Sequence, residues 1–180
     1  MKRLCVFCGS RTGKAPIYAD QTRHLGEAMA KRGLGLVFGA GHIGLMGVLA
    51  DAVRQLGGET IGVIPQSLVE RELADRNLTE LRIVESMHDR KALMAELSDG
   101  FIALPGGFGT LDEMFEILTW AQLKFHYEPI GMLNIAGFFD PLLAWVDNAI
   151  AEDFVQGKNR ALLIVEKDAE KLLDSIEAAS

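Results

Sequence analysis

No stretch of this 180-residue chain approaches the ~20 consecutive apolar residues that a bilayer-spanning helix needs, so no membrane span is expected. The apolar run after Met1-Lys2-Arg3 covers only Leu4 to Phe7, too short for a secretory leader, and the expected location is the cytoplasm. Positive charge is also scarce. Lys and Arg number 18 against 25 Asp and Glu, a formal net charge of −7. That balance argues against a nucleic-acid or anionic-membrane binder, which presents a basic face. A small anionic ligand stays compatible with it where cations gather locally. Cysteine is limited to Cys5 and Cys8. Their C-x-x-C spacing invites a redox or zinc reading, but a redox pair needs a helix N-terminus to lower a thiol pKa, and a structural zinc needs two further close ligands. The two cysteines are therefore expected to be reduced, in or beside a buried strand. His24, His42 and His126 have no metal-ligand spacing and read as surface or packing residues, so no metal is expected. The chain has no Walker A lysine, nucleophile elbow or zinc-binding helix motif, and no repeat, low-complexity stretch or linker. It reads as a single domain over residues 1–180, with no cofactor called for.

What is present is an alternation of short apolar runs and longer amphipathic ones, in a chain 49% hydrophobic and 24% charged, enough to bury a core. Strands are expected over Leu4–Phe7, Leu36–Phe38, Thr60–Ile64, Leu81–Val84, Phe101–Leu104, Ile130–Leu133 and Leu162–Val165. Helices are expected over Ile17–Arg32, Ile43–Leu56, Met87–Leu97, Leu111–Lys124, Pro141–Asp153 and Ala169–Ala178. Nearly continuous apolar strands are those of a parallel sheet covered on both faces. The fold class is thus α/β, a Rossmann-like open parallel sheet with helices on both faces and right-handed crossovers. Ligands bind such sheets at the carboxyl ends of the strands. Four segments fall there: Cys8 to Ser10, Gly39 to Gly47, Glu85 to Lys91, and Pro105 to Glu113.

Pro105-Gly106-Gly107-Phe108-Gly109-Thr110-Leu111-Asp112-Glu113 joins a strand to a helix through a glycine-rich turn. Exposed N–H groups at the positive end of a helix dipole form an anion site, usually for phosphate. A carboxylate at Glu113 does not suit a pure phosphate cradle, which leaves it for chemistry. It also fits a capping box with Thr110, and both roles stay open. Glu116 lies one turn further along the same helix surface. His88-Asp89-Arg90-Lys91 sets two cations at a helix start, where they are disfavoured by the dipole. Such local violations tend to mark functional sites, against the plain alternative of a solvated helix start. Gly39-Ala40-Gly41-His42-Ile43-Gly44 fits G-x-G-x-x-G, but the acidic residue that a nicotinamide site wants at the end of the next strand is missing. The nearest one, Glu59, stands at that strand's beginning.

Taken together, Pro105 to Glu113 resembles the P-G-G-x-G-T-x-x-E motif of the LONELY GUY (LOG) family, cytokinin riboside 5′-monophosphate phosphoribohydrolases often mislabelled lysine decarboxylases. Met87 to Lys91 resembles the family's M-H-x-R-K segment. Cys8 to Ser10, the Gly39 to Gly47 loops and Thr119 to Leu123 are similar to its remaining motifs, and the likeness covers about residues 3–165. Ala40 departs from the family's glycine by one methyl. The resemblance implies a homodimer with sites near its interface. It implies hydrolysis of the N-glycosidic bond of an N6-modified adenosine 5′-monophosphate to free base and ribose 5-phosphate. Arg90 and Glu113 align with the catalytic pair. Glu72, Lys91, Gly107, Phe108, Gly109, Thr110, Leu111, Asp112 and Thr119 align with substrate positions, and Ser10 is placed to add a phosphate contact. Two rivals keep the same fold: a general purine or AMP nucleosidase, and a non-catalytic carrier of a nucleotide-like cofactor. Lysine decarboxylation is disfavoured, because no lysine stands in a recognisable pyridoxal phosphate context.

Overall fold

The computed structural model describes residues 1–69, 75 and 77–180. Seven strands form one sheet among these residues: β1 (Arg3–Phe7), β2 (Gly35–Phe38), β3 (Thr60–Pro65), β4 (Glu80–Val84), β5 (Phe101–Ala103), β6 (Ile130–Leu133) and β7 (Leu163–Glu166). They are connected by α1 (Pro16–Lys31), α2 (Gly44–Gln55), α3 (Met87–Glu96), α4 (Phe108–Gln122), α5 (Asp140–Ala151) and α6 (Ala169–Ala178). Every pairing is parallel, in the order β4-β3-β2-β1-β5-β6-β7. No helix among the described residues is long and apolar enough to cross a membrane.

The alternation of side chains along each strand divides the core into two layers. Leu4, Val6, Leu36, Phe38, Ile102 and Leu104 face α1, α2 and α6. Cys5, Phe7, Val37, Ile61, Phe101 and Met132 face the other way, toward Met94 of α3 and Met114 and Ile117 of α4. Cys5 and Cys8, both free and buried, therefore lie in opposite layers. Apart from Arg3 and Thr60 at their starts, β1 to β3 are apolar because both their faces are covered. The edge strand β4 carries Glu80, Arg82 and a half-exposed Ile83.

Every expected strand and helix is present, with ends displaced by a residue or two. The exception is α4, which starts at Phe108 rather than Leu111, with Gly107 as its N-cap. Thr110 is consequently inside the first turn and 4% exposed, so the capping box with Glu113 does not form. A true capping box stands at the start of α3. There the Ser86 hydroxyl accepts from the Asp89 N–H at 3.1 Å, and the Asp89 carboxylate accepts from the Ser86 N–H at 3.1 Å.

Candidate active site

The chain direction reverses between β1 and β5. β1 continues outward through β2 and β3 on one side, and the crossover that follows β4 returns through α3 to β5 on the other. The carboxyl ends of β1 and β5 therefore open a crevice at the topological switch point. Three loops meet above it through backbone hydrogen bonds. The Leu104 N–H donates to the Phe7 carbonyl (2.9 Å), the Gly9 N–H to Pro105 (3.0 Å) and the Leu45 N–H to Gly9 (3.0 Å). Gly44, with φ +67°, lets the start of α2 approach the first loop: a β-carbon there would lie 2.2 Å from the Ser10 carbonyl carbon.

The helices around the crevice differ at their starts in a telling way. α3 and α6 are capped by side chains, from Ser86 and Asp168. α2 and α4 have no side-chain cap and no acidic residue in the first turn. The first four N–H groups of an α-helix have no partner inside it. In α4 these belong to Gly107, Phe108, Gly109 and Thr110, and Gly107 to Gly109 are exposed. The Thr110 side chain packs against the turn itself, since a β-carbon on Gly106 would fall 2.0 Å from its hydroxyl oxygen. This end of α4 presents the open N–H groups that an anion seat requires.

Arg90 is buried, 5% exposed. Its Nη2 donates to the Gly39 carbonyl at 3.1 Å, and its Nη1 reaches the Met87 sulfur at 3.7 Å. A β-carbon on Gly39 would lie 1.8 Å from that Nη2, so a glycine at the end of β2 is what seats the guanidinium. Glu113 is half-buried on α4. Cys5 in β1 registers both charges, and Cys8 just beyond it registers Glu113. Burial pushes the Cys5 thiol well up, the Glu113 carboxylate pushes it the same way, and the Arg90 guanidinium opposes. Burial and then Glu113 also raise Cys8. Arg90 on α3 and Glu113 on α4 both belong to the helices that cover the Cys5 face of the sheet, next to Met94 and Met114 of that layer. Lys91 points instead between α3 and α4, where its ammonium lies 3.0 Å from Glu116 and 3.2 Å from Asp112. Burial lowers its pKa, but the bonds to Glu116 and Asp112 outweigh burial and leave it raised. Lys91 is thus a cation that fastens the two site-bearing helices together.

Beside the open start of α4 lies a cavity of about 610 Å³. Ser10, Gly107 and Phe108 line it, and Phe108 is 96% exposed. Leu45, within the expected Gly39 to Gly47 segment, also lines it, as do Tyr18 and Phe138, which no sequence signal marked. The aromatic residues come from α1 and from the segment before α5, and only the fold unites them. Leu111 is half-buried and Asp112 exposed on α4. Thr119 is exposed nine positions beyond Thr110, roughly 13 Å along the helix, and its hydroxyl donates to the Phe115 carbonyl at 2.7 Å. It does not join the cavity of its own chain. Glu72 lies outside the described residues. Glu59 is at the opposite end of the sheet, bonded through Oε2 to Arg3 Nε at 2.7 Å, far from any nucleotide ribose in the crevice.

A family profile described as "Possible lysine decarboxylase" matches residues 46–176. The cytokinin riboside 5′-monophosphate phosphoribohydrolase LOG of Oryza sativa subsp. japonica is 46% identical over 176 residues, 98% of this chain and 73% of that protein. LOG3 of Arabidopsis thaliana is 45% identical over 176 residues, 98% of this chain and 82% of its own length. The chain belongs to the LONELY GUY family. Among solved structures, the molybdenum cofactor binding protein of Rippkaea orientalis superposes on this LOG-family fold with a TM-score of 0.74 at 20% identity, covering 99% and 97% of the two chains. That likeness concerns the fold. Within the LOG-family chain, Ala40 now has a structural meaning. Its φ is +61°, a left-handed conformation in which glycine is the unstrained choice.

Proposed function

We propose that this chain hydrolyses the N-glycosidic bond of an N6-modified adenosine 5′-monophosphate, releasing the free base and ribose 5-phosphate, as the names of its relatives describe for those proteins. The observation that carries the reading is an uncapped α4 N-terminus with Glu113 on the same helix, beside α3, whose buried Arg90 is anchored on the Gly39 carbonyl. The N–H groups of Gly107 to Thr110, with the Ser10 hydroxyl, hold the 5′-phosphate. Glu113, farther along the same helix, faces C1′, where positive charge develops as the base departs. Its carboxylate stabilises that charge and orients the attacking water. Arg90 orients the nucleotide and stabilises the leaving base electrostatically. It does not give up its own proton, because guanidinium holds it at any ordinary pH. Lys91 keeps α3 and α4 at a fixed spacing, so that the catalytic pair stays aligned.

Thr119 and the exposed rings of Phe125, Tyr127 and Trp145 support a homodimer. Thr119 meets a substrate only when a second copy brings its α4 to the cavity. Static light scattering should therefore give twice the 19.7 kDa chain mass. The cytoplasm is the compartment we assign.

The reading is tested by incubating the purified protein with isopentenyladenosine 5′-monophosphate, AMP and isopentenyladenosine, and resolving the free base by chromatography. Base release is expected from the N6-modified monophosphate, and release from the nucleoside should be slower by on the order of 100-fold, because the phosphate supplies remote binding energy for positioning. Equal rates for nucleoside and monophosphate refute the phosphate seat. Faster release from AMP than from the modified nucleotide establishes a general AMP nucleosidase instead. Glu113→Gln keeps the side-chain shape and removes the anion, and should lower turnover by about 10²-fold or more.

A further inference from the structure

The cavity of about 610 Å³ is far larger than a phosphate and falls in the range of a whole ligand site. One end is the anion seat formed by Pro105 to Phe108 with Gly9 and Ser10. The other end is an aromatic wall. The Tyr18 and Phe138 rings meet edge to face at 5.8 Å and 79°, and the side chain of Phe108 stands in solvent at the rim. Arg11 also lines the cavity.

Neither Arg90 nor Glu113 lines the cavity. In the proposed reaction the nucleotide extends from the phosphate on α4 toward Glu113, with its base beyond C1′ on that side. The aromatic end lies on the opposite side of the sheet, where Tyr18 packs against the α1, α2 and α6 layer, whereas α3 and α4 cover the other face. Whatever occupies it is attached to the substrate through the phosphate and not through the base. A flat ring is the matching chemistry, since aromatic side chains stack on nucleobases whatever their sequence. A glycine turn at a helix N-terminus is equally suited to a pyrophosphate, and Arg11 would offset the added negative charge.

We propose that Tyr18 and Phe138 form a second nucleoside subsite, and that the chain binds and hydrolyses dinucleotides joined 5′ to 5′ through a diphosphate. With diadenosine 5′,5′-diphosphate, one C1′–N9 bond breaks. The water oxygen bonds to C1′, one water proton stays on it as the new anomeric hydroxyl, and the other goes to the departing adenine. The diphosphate is untouched, so the products are adenine and ADP-ribose. The proposal rests on the phosphate seat and catalytic pair assigned above.

Isothermal titration of the full chain with diadenosine diphosphate, ADP and AMP tests binding, and chromatography of adenine and ADP-ribose tests turnover. The dinucleotide should bind about 10-fold more tightly than ADP, the scale of one base stacked on aromatic side chains. Tyr18→Leu and Phe138→Ala should each remove that advantage while leaving hydrolysis of isopentenyladenosine monophosphate within about twofold. The Phe138 ring is 41% exposed, so its truncation keeps the test valid if the α1 variant fails to fold, and retained monophosphate hydrolysis certifies folding. Dinucleotide affinity no better than that of ADP overturns the subsite. So does an equal loss for ADP and dinucleotide in the variants, or a change in their preference between AMP and its N6-modified form, which would place the base here instead. Failure of the wild type to release base from any monophosphate would refute the proposed reaction, while the titration would still report on the subsite.

Discussion

A single hydrogen atom at position 39 determines where the guanidinium of Arg90 rests. Because a β-carbon on Gly39 would lie 1.8 Å from Nη2, Gly39→Ala must displace Arg90 from its carbonyl anchor. The expected result is a fall in turnover of about 10²-fold, since small misplacements of catalytic groups have effects on that scale, with an unfolding midpoint still well above the assay temperature. Ala40 presents a finer balance. Its left-handed backbone costs roughly 1–2 kcal/mol, but replacement by glycine forfeits a buried methyl, about 0.8 kcal/mol, and loosens the unfolded chain by another ~0.4–1 kcal/mol. These effects nearly cancel, so Ala40→Gly should move the melting midpoint by no more than a few degrees. The sequence reading treated that methyl as a matter of bulk, whereas the structure makes it a matter of backbone conformation. Residue identity cannot display φ, which is why the point was illegible. The reduced, buried cysteines were legible from their place in an apolar run. With both thiols raised by burial and lying in opposite layers, neither should react with Ellman's reagent at pH 8 until the protein is unfolded.

At the scale of elements, α3 and α4 carry the proposed catalytic pair, and they begin in contrasting ways. α3 is closed by its own side chains, and α4 is left open. Ser86→Ala removes the hydroxyl that accepts from the Asp89 N–H and should destabilise the protein by about 1 kcal/mol. In a chain of this size that corresponds to a melting midpoint lower by ~2–4 °C, readable by circular dichroism. The elements themselves were legible in the sequence, because apolar runs and amphipathic periods follow directly from burial on two faces of a sheet. The start of α4 was not. Thr110 and Glu113 have the spacing of a capping box, and spacing alone points to a helix beginning at Leu111. The fold overrides it by burying Thr110 against Gly106, which starts the helix three residues earlier and leaves Gly107 to Gly109 with outward N–H groups. The gathering of Tyr18 with Phe138 was hidden for another reason: 120 positions separate them, and only the β1-β5-β6 order brings them together.

Across the whole molecule, function and anchorage occupy opposite ends of one sheet. The loops at the carboxyl ends hold the site. At the amino ends, the Asp99 carboxylate accepts from the N–H groups of Lys2 (2.6 Å) and Arg3 (3.0 Å), and Arg3 pairs with Glu59. The Lys2 N–H holds Asp99 below its usual range, against a smaller opposing effect of burial, and the bond to Arg3 does the same for Glu59. A carboxylate depressed on folding contributes stability that is complete above its unfolded pKa and is lost as pH falls through the folded value. With unfolded values near ~4, stability should be level from neutral pH down to about pH 5 and decline below about pH 4. In urea titrations, Asp99→Asn should be weaker than the wild type at pH 7, with the gap narrowing as pH falls below about 4. The parallel sheet itself was legible from the strand–helix alternation. The position of its switch point was not, because alternation fixes the sequence of elements and leaves their lateral order open.

The lateral order also governs how the molecule is made. β1 can pair with β2 as soon as Phe38 has left the ribosome, but its other neighbour is β5, whose register joins Cys5 to Phe101 and Phe7 to Ala103. Long-range parallel pairing of this kind is slow, because loop closure precedes any contact that rewards it. The first strand therefore waits with one edge unsatisfied while the intervening chain is synthesised. The crevice between β1 and β5 cannot exist until that edge is filled, so the capacity to bind nucleotide is gained at a late step of folding.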